Sequence, residues 1–165
     1  MSESQQNVIH QELTISYDYA VGEVAGTFLN GLKERKLLAS HCSKSKLTYL
    51  PPRAFCERSF EPCDGWVEAA EEGVIECSTI VVRGFEGKRP APVAIAFVRF
   101  DGVDSAIANY VDDIDLSDFD AAMKRLEPGA RVRVRFVDNP EGRVTDFSFV
   151  LQEEDGAIGD ARATG

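Results

Sequence analysis

From Trp66 to Leu151 the chain is a succession of strand-like runs interrupted once by a helix, and that order leaves few folds open. "GVIECSTIVVRG" (73–84) and "APVAIAFVRFDG" (91–102) are β-branched and aromatic runs closed by glycines, the composition of strands bounded by turns. "VDSAIANYV" (103–111) is a shorter third run. "LSDFDAAMKRLEPG" (116–129) predicts a helix, with Ser117 at its cap, Asp120 three residues on, and Pro128-Gly129 as its stop. "ARVRVRFVD" (130–138) and "GRVTDFSFVL" (142–151) alternate again and are joined by the turn "NPEG". Cys77 lies in the first run and reads as a small buried hydrophobe.

Five strands with one helix between the third and the fourth is the element order of an OB-fold, a small Greek-key barrel. A generic β-sandwich is the competing arrangement, and the position of the helix favours the barrel over residues 68–151.

The N-terminal part is built differently. Residues 1–22 are polar and mixed, with a short apolar alternation in "LTISYDY", and read as an extended arm able to dock on a partner. Over residues 23–40, Val24, Phe28, Leu29, Leu32, Leu37 and Leu38 fall on one face of an amphipathic helix, with Lys33, Glu34, Arg35 and Lys36 outside. Gly26 and Gly31 lower its propensity.

Residues 41–67 hold a spacing that belongs to metal sites. Cys42 precedes Ser45 by three residues and Cys56 precedes Ser59 by three. With cysteine at both serine positions the stretch would read CxxC, ten residues, CxxC. Pro51 and Pro52 exclude a helix and impose an extended chain between the two knuckles. Structural zinc takes four donors, mostly thiolates and imidazoles. Two hydroxyls in that set disfavour zinc, and no metal is the favoured reading. Cys42, Cys56 and Cys63 form a weaker alternative. His41 stands beside Cys42, so on an extended chain it points to the opposite face. Leu47, Tyr49, Leu50, Phe55 and Trp66 are expected to hold the module by packing.

Composition narrows the function classes. The 165 residues carry 18 Lys and Arg against 28 Asp and Glu, a formal net charge of −10. Phosphate neutralisation supplies most non-specific nucleic-acid affinity, so this balance disfavours nucleic acid, and it equally disfavours anionic membranes. The first residues have neither a basic start nor an apolar core, and no apolar run approaches the ~20 residues of a membrane span. Four cysteines without an export signal then suggest reduced thiols or metal rather than disulfides, and a cytoplasmic location. The chain has two histidines, His10 and His41, and no GxSxG, HExxH, P-loop or GxGxxG motif. It supplies no catalytic constellation of its own.

The combination "FLNGLKERKLLASHC", "YLPPRAFC", Trp66 seven residues past the fourth knuckle position, and "LEPGARVRVRF" resembles the zinc-ribbon/OB-fold proteins that accompany thiolase-like enzymes of acyl-CoA metabolism. The resemblance spans about residues 23–150. It implies a mainly β chain: an N-terminal helix, a rubredoxin-like ribbon with degenerate ligands and a five-stranded OB barrel. The tail over 152–165 is acidic and rich in small residues, a composition that predicts disorder. The resemblance also implies an accessory, non-catalytic subunit docked in a hetero-oligomer on a thiolase-, aldolase- or hydratase-type catalytic subunit. No covalent cofactor is implied, and acyl-CoA is a ligand of the complex.

Within that frame the loop "RGFEGKRPAPVA" places Arg83, Lys88 and Arg89 around Phe85, a set suited to the phosphates and adenine of coenzyme A. Arg53 is a further candidate, and a solvated strand-connecting loop is the plain alternative. Arg131, Arg133 and Arg135 alternate on one strand and with Arg143 form either a basic stripe or a face paired with nearby acids. Asp112, Asp113 and Asp115 read as a solvated acidic face. Two other functions stay open: a single-stranded nucleic-acid binder stacking bases on Phe97, Phe100 and Tyr110, and a lone acyl-CoA carrier.

Overall fold

The computed structural model describes residues 11–84 and 89–152. Helix α1 (Glu23–Lys33) is followed by strands β1 (Leu38–Cys42), β2 (Leu47–Tyr49) and β3 (Gly65–Glu68). Then come β4 (Glu72–Val81), β5 (Val93–Phe100), β6 (Ile107–Asp112), helix α2 (Phe119–Arg125), β7 (Arg131–Phe136) and β8 (Phe147–Leu151). The first three strands form an antiparallel sheet with β1 in the middle, and the last five close into a barrel in the order β4-β5-β6-β8-β7. Closure comes from a parallel β6–β8 pairing at Val111↔Phe149 and from β4 reaching past β5 to pair Gly73 with Val132 on β7. This is the OB-fold that the order of runs predicts.

Strand length and glycine placement explain the closure. β4 is the longest strand, and a bulge between Ile75 and Cys77 bends it so that one end serves β5 and β7 together. At the bend Gly73 packs so tightly on β5 that a Cβ there would stand 2.6 Å from the Arg99 carbonyl oxygen. Inside, Phe100, Phe147 and Phe149 stack in tilted pairs at 5.9 Å between centroids, the spacing aromatic cores favour. Leu126, at the C-cap of α2, is fully buried in the same core.

Several local expectations need correction. The helix predicted over 23–40 stops at Lys33, because Arg35 takes a left-handed φ of 58° and the chain turns back into β1. Leu37 therefore enters the core, buried beside Phe28 and Leu32, while Leu38 opens β1 half-buried. The cap of α2 is Asp118, whose carboxylate accepts the N–H groups of Asp120 and Ala121, each at 3.0 Å. Ser117 lies one residue too early for that role. Cys77 is exposed, because its side chain points outward from β4. Residues 142–146 form a turn, not the start of the last strand. Arm residues 1–10 and tail residues 153–165 lie outside the described chain.

The helix and small sheet are fastened to the barrel by a shared core. Phe28, Leu32, Leu37, Ala39 and Leu50 pack in one cluster with Ile75, Val98 and Phe149. Polar links add direction: Asp104 accepts the Thr48 N–H at 2.8 Å, and the Ser105 hydroxyl accepts the Leu50 N–H at 2.8 Å.

Candidate functional site

Two turns of the same design face each other, one joining β1 to β2 and the other within the connection from β2 to β3. In one, the Lys46 N–H donates to the Cys42 carbonyl at 2.8 Å; in the other, the Phe60 N–H donates to the Cys56 carbonyl at 3.0 Å. Each closes on a non-glycine residue with left-handed φ, 64° at Lys46 and 56° at Phe60. The equal sequence spacing thus becomes equal geometry, and it brings Cys42, Ser45, Cys56 and Ser59 to one point.

At that point the serines bond to the sulfurs. Ser45 Oγ is 3.1 Å from Cys56 Sγ, and Ser59 Oγ is 3.3 Å from Cys42 Sγ. Each serine oxygen also accepts a backbone N–H, from Leu47 and Glu61 respectively, which leaves the hydroxyl proton free for the thiol. Tyr49 contributes a third hydroxyl at 3.2 Å from Cys56 Sγ, and the N–H groups of Arg58 and Ser59 reach the same sulfur at 3.4 Å. Burial pushes the Cys56 thiol up, but donors from Ser45, Ser59 and Tyr49 outweigh it and bring the pKa down to about 5. Tyr49, bonded to that sulfur and buried, is pushed up to about 12. Cys42 is lowered by the Ser45 and Ser59 hydroxyls, whereas burial raises Cys63.

This donor set does not suit zinc. Two corners of a tetrahedral site would be neutral hydroxyls, and both are already spent as hydrogen-bond donors to the sulfurs. Cys63 packs against the cluster from outside. Among the described residues, no three His, Cys, Asp or Glu side chains are arranged to hold a metal ion. His41 faces away from Cys42, with Nδ1 3.0 Å from the Thr48 hydroxyl.

With thiols and Tyr49 filling the interior, other side chains turn outward. Phe60 is 83% exposed, Phe55 62% and Trp66 43%, with Val67 beside Trp66 on β3. Of the five residues expected to hold the module, Tyr49 and Leu47 pack in its cluster, Leu50 joins the barrel core, and Phe55 and Trp66 turn outward, because a cluster this small has no room for further rings. The segment around the cluster thus carries three large exposed aromatics.

The cationic candidates separate into two groups. Arg53 belongs to the knuckles: its guanidinium lies 4.8 Å from the centre of the Tyr49 ring and pairs with Glu57. Arg89 belongs to the barrel, where it stacks 4.8 Å from the Tyr110 ring centre and pairs with Asp112. Arg83 is exposed just past β4, and Phe85 and Lys88 lie outside the described residues. Beside Arg89 an open cleft of about 410 Å³ is lined by Tyr110, Asp112, Val137, Thr145, Phe147 and Ser148. Asp112 is buried enough to be pushed up, yet hydrogen bonds from Ser148, Arg135 and Arg89 hold it below the usual carboxylate range.

The alternating arginines are mostly paired. Arg131 bonds Asp101 and Glu72, Arg135 bonds Asp112 and Asp113, and Arg143 bonds Glu141. Of the three aromatics considered for base stacking, Phe100 is fully buried and Tyr110 is covered by Arg89, which leaves Phe97 outward. Sequence reasoning overlooked Asp146, which is buried and accepts the N–H groups of Glu141, Gly142 and Arg143 at 2.6–2.8 Å. A carboxylate four residues after the glycine of "NPEG" was the available signal. Among the described residues no helix is long and apolar enough to cross a membrane.

Comparison with known proteins agrees with this architecture. A family model described as the C-terminal OB-fold domain of ChsH2 matches residues 66–137. A crystal structure of a DUF35-family protein of unknown function from Sulfolobus solfataricus is 24% identical, with a TM-score of 0.58 over 79% of this chain and 87% of that one. A structure described as the Ltp2-ChsH2(DUF35) aldolase is 16% identical, with a TM-score of 0.61 over 81% of this chain and 97% of that one. Both likenesses extend past the barrel and define a shared fold. No curated protein matches the chain.

Proposed function

We propose that this chain is a non-catalytic accessory subunit of a thiolase- or aldolase-type enzyme complex acting on acyl-CoA substrates. Residues 41–67 are read as a ribbon whose ion has been replaced by hydrogen-bonded thiols and hydroxyls, kept for the surface it presents. The observation that carries the reading is that surface: a module with a closed polar core directs Phe55, Phe60 and Trp66 into solvent. Large exposed aromatics are the usual anchors of a protein interface. The barrel's similarity to the ChsH2 C-terminal domain and the fold shared with a chain of an aldolase complex support the choice of partner.

The cleft beside Arg89 is assigned to the nucleotide end of coenzyme A. Its guanidinium offers charge to a phosphate, with Arg83, Phe85 and Lys88 of the same loop as further contacts; Arg53, on the knuckles, is a separate candidate. Chemistry on the acyl group is left to the partner. The described residues include one histidine, His41, and it is engaged by Thr48.

The test is co-purification. A tagged chain should retain a thiolase- or aldolase-type subunit from its own cells, and Phe55→Ser with Phe60→Ser should release it without changing circular dichroism or melting temperature. Equal recovery with the double variant would remove the basis of the assignment.

A further inference from the structure

The described part of the N-terminal arm has a pattern that the knuckles and barrel leave unused. Leu13, Ile15, Tyr17, Tyr19 and Val21 occupy every second position, and all five are exposed, Leu13 at 84% and Tyr17 at 78%. The positions between them are polar or small: Thr14, Ser16, Asp18 and Ala20. A period of two is the pattern of a strand with one buried face. Yet residues 11–21 lie in no strand, and none makes a backbone hydrogen bond to another described residue. Nine residues in this form carry unpaired N–H and C=O groups along a span of about 30 Å.

We propose that residues 13–21 add as a β-strand to an open sheet edge of the catalytic subunit. The inference rests on the accessory-subunit reading above. This chain is a poor host for its own arm. Its barrel is closed, and the outer strands of the small sheet, β2 and β3, have three and four residues. The same shortness applies to a second copy, and two copies of a chain with formal charge −10 repel. A different polypeptide with a longer edge satisfies the arm's backbone, and pockets for alternate side chains take its apolar face. Glu12 and Asp18 on the other face favour an edge flanked by lysine or arginine.

The experiment uses the full chain and the thiolase- or aldolase-type subunit that co-purifies with it. Affinity is measured for the intact chain and for Tyr17→Ser with Tyr19→Ser, and amide exchange is followed over residues 13–21. The expected result is at least a tenfold weaker Kd for the double variant, an unchanged melting temperature, and amide protection in the arm that appears only in the complex. If the intact chain binds and the variant binds equally, the arm proposal is overturned while the accessory reading stands. If the intact chain binds no such subunit, the accessory reading fails and takes the arm's host with it. Sedimentation showing a dimer of the intact chain and a monomer of the variant would assign the arm to a second copy and overturn the proposal.

Discussion

Ser45 Oγ lies 3.1 Å from Cys56 Sγ, joining one knuckle to the other across eleven residues. Where a metal would bind both turns through four thiolates, here a hydroxyl of one turn bonds the sulfur of the other, and Ser59 returns the same contact to Cys42. The module is cross-linked through hydrogen bonds between its two turns.

Restoring the thiolates should restore the ion. Ser45→Cys with Ser59→Cys places four sulfurs where the two turns converge. The variant should bind one zinc per chain with Zn–S distances of about 2.3 Å and melt at a higher temperature than the native chain. Chelator should lower the variant's melting temperature and leave the native one unmoved. Metal analysis and thermal melts read both effects.

Removing a single donor should weaken the cluster. Tyr49→Phe deletes the hydroxyl at 3.2 Å from Cys56 Sγ while keeping the buried ring. A lost hydrogen bond to a buried acceptor costs about 1–3 kcal/mol. Urea denaturation should show a loss in that range, and thiol titration should show the Cys56 pKa moving upward.

Acid should loosen the module before it loosens the barrel. Cys56 titrates at about 5 in the folded chain against an ordinary 9.0. Its contribution to stability is complete above about pH 9, shrinks as the pH falls, and is gone below about pH 5. Tyr49, raised to about 12 from 10.0, acts in the opposite sense: its contribution is full below about pH 10 and is lost toward pH 12. The urea midpoint of the native chain should therefore drop between about pH 8 and pH 5 by more than that of Cys56→Ala.

The turn after β7 should depend on one carboxylate. Asp146→Ala strips the partner from three backbone N–H groups in residues 141–143. Bonds to a charged group are worth about 1.5–3 kcal/mol each before the loop relaxes. A net loss of about 2–3 kcal/mol is expected in urea denaturation, with Asp146→Asn recovering part of it.

What was legible in the sequence followed from period and spacing. Alternation in "ARVRVRF" placed Val132 inside and Arg131, Arg133 and Arg135 outside, because a strand has only two faces. The Cys-x-x-Ser repeats foretold two matching turns, since turn geometry is set by a few consecutive residues. Tertiary competition was not legible. Leu37 and Leu38 continue the helical stripe of α1, but burying Leu37 against the barrel core requires the chain to reverse at Arg35. Phe55 and Trp66 look like core residues in any linear reading. Only the fold shows that Tyr49 and two thiols already occupy the space. Asp112 read as part of a solvated acidic run, and Arg89 and Arg135, 23 residues away on either side, convert it into a half-buried junction.

The accessory role is tested most directly by turnover. The catalytic subunit and this chain are purified separately and assayed alone and together on an acyl-CoA substrate. The expected result is no turnover by this chain, little by the catalytic subunit, and full activity when the two are mixed. Turnover by this chain alone, or full activity of the catalytic subunit in its absence, would contradict the role assigned to it.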